Sequence, residues 1–280
     1  MVTLLKIEFG VRVIFLLVMI SAEGEWSFPD TLEGFGYAFN KDGQLRKIDP
    51  NTGGPGSESF EFNVSENEDY NQKRYEALGD VSVTTENTRC IFSLLINDSL
   101  QSGSQIPFIK RARELGYAII VMNPNENTKV VGGKIIKIKN SQNAKEHAHY
   151  IWKHYVKEMT PKHIAIIAHS YGGFLTVDLA TQYYSDFHSR VFAIALTDSV
   201  HSLEMQKVPP RVSEYLQKVS RNWASHDTPL DTPLPSKMAG DIPRVSAGHT
   251  RHEMTSWSSF ESVFTFLQER YSALSNKEEL

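Results

Sequence analysis

The chain has 280 residues, 40% of them apolar and 22% charged, with a formal net charge of −4. This is the composition of a globular protein of one large or two small domains, and it excludes wholesale disorder. It also argues against a broad basic surface for duplex nucleic acid, and so against direct sequence-specific DNA binding.

The chain opens with Lys6 and Arg12 ahead of an uninterrupted apolar run, Val13 to Ile20, followed by the small residues Ser21, Ala22 and Gly24. This layout is that of a secretory signal peptide, and it places a leader over 1–24 with cleavage near Ala22 or Gly24. The run is too short to span a bilayer, and no other segment reads as transmembrane. The competing reading is a buried strand or helix that happens to be N-terminal. Two sequons, at Asn63 and Asn97, and the C-terminal Lys277-Glu278-Glu279-Leu280 fit the secretory route. The tetrapeptide is similar to the retrieval signal of the endoplasmic reticulum lumen, which implies a retrieval receptor if the chain is luminal.

Residues 25–102 read as an irregular, turn-rich region, with a hairpin signal at Asp42-Gly43 and a loop at Thr52–Ser57. From 103 to 275 the pattern alternates. A helix over Pro107–Leu115 is stopped by Gly116, and the apolar strand Tyr117–Met122 follows. Val130 to Asn143 is a polar, Lys-rich excursion. A helix from Ala144 to about Glu158 carries Ala148, Ile151, Trp152 and Tyr155 on one face. Strands are then predicted at Ile164–Ala168, Val191–Leu196 and Arg244–Ala247. Helices are predicted after Gly172 and over Phe260–Tyr271, and 276–280 is a tail. Continuous apolar strands between amphipathic helices mean an α/β fold with a mainly parallel sheet covered on both faces. All strand C-termini then share one edge, where sites form.

The chemistry is concentrated at that edge. Ala168-His169-Ser170-Tyr171-Gly172-Gly173 joins a strand to a helix, as a nucleophile elbow does. The serine sits on a sharp turn, so its neighbours at −2 and +2 must be small, and Ala168 and Gly172 meet that need. The amide of Tyr171, at the helix N-terminus, would serve a developing oxyanion. All ten histidines lie between His147 and His252. The order serine, acid, histidine is met by Ser170, Asp198 and His252, each just after a predicted strand. His201 and His249 compete for the role of base. Asp198 as a turn cap and His252 as the partner of Glu253 are the non-catalytic readings. A single cysteine, Cys90, excludes an internal disulfide framework and zinc sites on paired cysteines. No cofactor or metal is expected. A second oxyanion donor, normally from a loop after an early strand, has no counterpart between Asp80 and Gln105, where Cys90–Ile96 is the only apolar run.

Longer strings carry a resemblance. Phe28–Phe35, Asn71–Gly79, Gln105–Arg111, Asn123–Asn127, the elbow itself, Leu196–His201 and Thr255–Trp257 resemble the Argonaute-binding-protein family, in particular its vertebrate cotranscriptional-regulator branch. The resemblance covers most of Phe28 to Leu267. It implies an α/β-hydrolase-like domain with Ser170 at the nucleophile position. It also implies association with Argonaute, chromatin-remodelling and splicing proteins, and a role in small-RNA-linked heterochromatin. Three departures stand out: a strand and His-Gly-rich loop missing before Cys90, a reduced charged insert after Asn127, and Thr250 in place of an acid. The sheet is therefore expected to be incomplete at its early strands. The reading that follows is a shortened, diverged member with little or no catalysis. The alternatives are a secretory serine hydrolase of the ester or acyl class and a poorly folded copy without function.

Overall fold

The computed structural model describes residues 12–17, 28–67, 70–71, 74–75, 77–78, 100–131, 134–236, 238 and 240–278. The chain forms two compact parts, Met1–Met19 with Ile109–Leu280, and Ile20–Phe108.

The larger part is mixed α/β around a seven-stranded sheet. Its strands are β1 (Arg12–Leu17), β4 (Tyr117–Met122), β7 (His163–His169), β8 (Val191–Thr197), β9 (Ser220–Ala224), β10 (Pro233–Leu234) and β11 (Arg244–Ser246). Their order is β10-β11-β9-β8-β7-β1-β4, and every pairing is parallel except β10 with β11. β7 and β8 read HIAIIAH and VFAIALT, and nearly every residue is buried. Strands with both faces covered need such uninterrupted apolar runs, which is why these two were legible. The helix Phe260–Glu278 packs on β8 and buries Val263, Phe264, Phe266 and Leu267. Each such side chain contributes roughly 1.5–3 kcal/mol when fully buried. Trp152, also fully buried, stacks on Phe187 with ring centroids 4.9 Å apart.

The sheet differs from the expected one at its early strands. The early strands were expected to be incomplete, yet β1 lies between β4 and β7, paired over six residues with each. The apolar run assigned to a leader thus has another use. Arg12–Leu17 lies between two parallel neighbours, which saturates backbone groups that a missing strand would leave unpaired. The stretch Cys90–Ile96 lies outside the described residues, as do Asn97 and the last two residues of the tail. Among the described residues, no helix is long and apolar enough to cross a membrane.

The smaller part is not irregular throughout. β2 (Tyr37–Phe39) and β3 (Leu45–Lys47) form the hairpin signalled by Asp42-Gly43. Gly43 takes φ 71°, a left-handed conformation that glycine adopts without strain. Asn40 Oδ1 accepts the amides of Asp42 and Gln44 and closes the turn. Leu32, Phe35, Tyr37, Leu45 and Leu78 make a core of its own.

The Lys-rich excursion after Asn127 also has structure. β5 (Thr128–Val131) and β6 (Lys134–Lys137) pair antiparallel as a two-stranded sheet.

Candidate functional site

Ser170 stands between β7 and the helix Tyr171–Gln182, at φ 53° and ψ −119°. A non-glycine residue held at positive φ is strained, and it persists only where the surroundings enforce it. Here they do so through the backbone. Ser170 N–H donates to Thr197 O at 3.0 Å, and Ser170 O accepts from Val200 N at 3.2 Å and Gly173 N at 3.1 Å. The elbow is thereby fastened to the end of β8. Gly172 and Gly173 are buried, so the first turn of the helix comes close to its neighbours.

Asp198 follows β8 directly, also at positive φ, 43°. Its amide donates to Trp223 O on β9 at 2.8 Å. Oδ1 accepts the amide of Ser225 at 3.0 Å, and Oδ2 lies 2.7 Å from His252 Nδ1. Burial alone would raise the carboxyl pKa, but the bonds from His252 and Ser225 outweigh it and bring it down to about 2. His252 stands in a short 3₁₀ turn, His252–Met254, beyond β11. The hydrogen bond that His252 donates to Asp198 pushes its pKa up, against the opposing effect of partial burial. Its side chain is 47% exposed, which leaves it open to a bound molecule.

The competing histidines are placed elsewhere. The His201 side chain is buried between Ser199 Oγ, at 2.7 Å from Nδ1, and Asp241 Oδ1, at 3.2 Å from Nε2. His249 Nδ1 accepts the amide of Arg251 at 3.0 Å. Glu253 pairs with Arg251 rather than with His252. Among the three candidate bases, His252 is the one joined to Asp198. No group of three or more His, Cys, Asp or Glu residues is placed to hold a metal ion among the described residues.

A partner that sequence reasoning passed over is His169. Its ring is buried, with Nδ1 3.1 Å from Thr197 Oγ1 and 3.3 Å from Ser256 Oγ, and those two hydroxyls lie 2.7 Å apart. Its ring centroid is 4.6 Å from that of His252. The network ties the end of β7 to the end of β8 and to the helix Thr255–Ser258, which begins three residues after His252. Burial, together with the nearby His252 charge, lowers the His169 pKa from 6.5 to about 4.

That shift has a sign. A histidine whose folded pKa lies below its unfolded value stabilises the fold above the unfolded value and ceases to do so as pH falls through the folded one. Stability attributable to His169 should therefore fall from pH 6.5 to about 4, by roughly 3 kcal/mol at 1.36 kcal/mol per pKa unit. His252 acts in the opposite sense, because its raised pKa favours the fold below 6.5. Urea unfolding at pH 7.5 and pH 5 should show acid destabilisation in the parent and much less in His169→Asn. An equal pH response in both proteins would mean that His169 is not the acid-sensitive group.

With the geometry in place, the comparisons decide the family. The Arb2 domain matches residues 28–95 and 81–230. The chain is 35% identical to Cotranscriptional regulator ARB2A of Mus musculus, over 93% of this chain and 85% of that protein. It is 35% identical to Cotranscriptional regulator ARB2A of Homo sapiens, over 90% and 83%. With the Cotranscriptional regulator ARB2A homolog of Dictyostelium discoideum it shares 28% identity, over 85% and 79%. The chain belongs to the Arb2 family.

Two details of these matches bear on the site. The Arb2 domain matches in two pieces that overlap over 81–95. The alignment with the mouse relative runs over 363 residues, longer than the 280 of this chain. That relative therefore carries residues with no counterpart here. β1 is a strand lying between β4 and β7.

Proposed function

We propose that this Arb2-family chain is a cotranscriptional regulator that works by protein association. Its hydrolase-like elbow would be non-catalytic or weakly catalytic. The observation that carries this is identity of 35% over 93% of the chain with a protein named for that role. Regulation that accompanies transcription takes place in the nucleus, and by resemblance the partners are Argonaute, chromatin-remodelling and splicing proteins. Tagged protein should be recovered with Argonaute from nuclear extract, and its depletion should change exon inclusion in nascent transcripts. Recovery from the lumen of the endoplasmic reticulum, with a new N-terminus near Glu23 or Glu25, would instead favour the secretory reading. Asn63, which is exposed, would then be open to a glycan.

A second reading, a serine hydrolase of the α/β-hydrolase type, is favoured by one specific observation. Ser170 is held in a strained elbow, and Asp198 engages His252 at 2.7 Å. In this reading His252 would take the Ser170 proton, Asp198 would orient the imidazole, and the Tyr171 amide would donate to the oxyanion. The neutral imidazole is the active form, so activity should rise with pH through a pKa above 6.5. A missing second oxyanion donor would lower the rate by about 10²–10³. Turnover of short-chain nitrophenyl esters should therefore be very low. A fluorophosphonate probe separates the readings. Labelling that vanishes in Ser170→Ala would support the hydrolase, and its absence in folded protein would support the binding module.

A further inference from the structure

The β5–β6 hairpin exposes apolar side chains on both of its faces. Its register pairs Thr128 with Lys137, Lys129 with Ile136 and Val131 with Lys134. Alternation puts Lys129, Val131, Lys134 and Ile136 on one face, and Ile135 and Lys137 on the other. All four residues of β6 are exposed, with Ile135 at 58% and Ile136 at 41%, although these two point to opposite faces. Val131 is exposed at 51%. A strand that packed one face on a core would hide one of these sets.

The base of the hairpin is fixed. Asn127 Nδ2 donates to Pro124 O and Ser141 O, Ser141 Oγ donates to Glu126 O, and Ile138 N–H donates to Asn127 O. A pinned stem thus holds up two strands that pair only with each other among the described residues. An isolated two-stranded sheet is marginal in water, and a third strand adds the pairing that it lacks.

Charge selects the occupant. Lys129, Lys134, Lys137 and Lys139 are exposed, and the sequence contains no acidic residue between Glu126 and Glu146. Lysines along an edge repel a second copy of the same edge. Residues 128–149 contain neither Arg nor Phe, Tyr or Trp, the side chains on which unpaired bases stack. We propose that β6 is a docking edge for an acidic, extended segment of another protein, which adds to the hairpin as a third strand. Backbone hydrogen bonds would supply the pairing. Carboxylates opposite Lys134 and Lys137, and aliphatic side chains opposite Ile135 and Ile136, would supply the selectivity.

The test uses the full chain and a fluorescent peptide that repeats Glu-Val-Val-Glu, the complement of Lys134-Ile135-Ile136-Lys137, read by anisotropy. Saturable binding is expected, weakening as salt is raised. Lys134→Glu/Lys137→Glu should lower affinity by at least about tenfold, in line with reversal of close charge pairs. Ile135→Thr/Ile136→Thr, which keeps the charge, should also weaken it. Methylating alternate backbone nitrogens of the peptide should abolish binding, because it removes the donors that a third strand needs. These variants lie on exposed positions, so the thermal transition should stay where it is. Binding that ignores the charge reversal or survives methylation overturns the proposal. So does tighter saturable binding to phosphatidylserine vesicles or to single-stranded RNA than to the peptide.

Discussion

A proline at position 14 is expected to abolish the cooperative thermal transition of the larger part. Ile14 lies within β1, where it is in register with Ile119 on β4 and Ala165 on β7. A strand flanked on both sides uses each amide in a ladder, and proline has none to give. The ring also crowds the preceding residue. A loss of about 3 kcal/mol or more, the scale at which proline breaks an element interior, removes much of a typical stability of 5–15 kcal/mol. Ile14→Val, which keeps the amide and the β-branched shape, should stay within about 1.5 kcal/mol of the parent. Circular dichroism melts of the three proteins check this. If Ile14→Pro melts like the parent, β1 does not belong to the sheet.

The same strand decides between two fates of the N-terminus. Cleavage near Ala22 or Gly24 would remove all of Arg12–Leu17 and leave β4 and β7 without the neighbour between them. A leader and a sheet strand are therefore exclusive uses of these residues. Mass spectrometry of folded protein should find the residues of β1 retained. A folded protein beginning at Glu23 or Glu25 would show that the sheet tolerates the loss.

What was legible in the sequence follows from how each element earns its burial. β7 and β8 announced themselves because both their faces are covered, which demands unbroken apolar runs. β4 was legible from its apolar run YAIIVM alone, although among the described residues it is an edge strand with Ala118 exposed. β1 has the same kind of run, but an N-terminal position behind basic residues is also what a leader looks like, and one segment cannot show which of its neighbours it will pair with. β9, Ser220–Ala224, was missed for the opposite reason. Its buried set includes Ser220 and Asn222, and Asn222 is tolerated there because Oδ1 accepts the amide of Ser199. The helix Pro210–Val219 was legible and passed over, since its buried Val212, Tyr215, Leu216 and Val219 stand at i, i+3, i+4 and i+7. Asp198 and His252 could be picked out because each follows a strand on the C-terminal edge. The union of His201 with Asp241 could not, since the two are 40 residues apart and meet only through the folded loops. The role of His169 was hidden in the same way, because it depends on Ser256, 87 residues away.

Gly173→Ala should be the most damaging single methyl group at the elbow. In an ordinary helix, alanine is favoured over glycine by roughly 0.5–1 kcal/mol. Here a Cβ on Gly173 would stand 1.8 Å from Ser199 Oγ and 2.6 Å from Ser199 Cβ. Ser199 cannot easily move away. Its Oγ lies 2.7 Å from His201 Nδ1, its amide is held by Asn222, and the next amide, of Val200, donates to Ser170 O. The methyl group must therefore push the elbow helix away from the loop that carries Asp198. Overpacking of this kind destabilises by about 1–3 kcal/mol, occasionally more, and reverses the sign set by helix propensity. It would also shift Ser170 relative to the Asp198–His252 pair, so any fluorophosphonate labelling should fall with stability. Ser199→Gly removes both clashing atoms. Its own loss leaves His201 short of a partner, so it is destabilising alone, but Gly173→Ala made in that background should be neutral or favourable. The coupling between the two sites, read from urea midpoints in a double-mutant cycle, should exceed about 1 kcal/mol. Additive effects, or an alanine that stabilises the parent, would mean that the elbow helix does not approach Ser199 as closely as the structure shows.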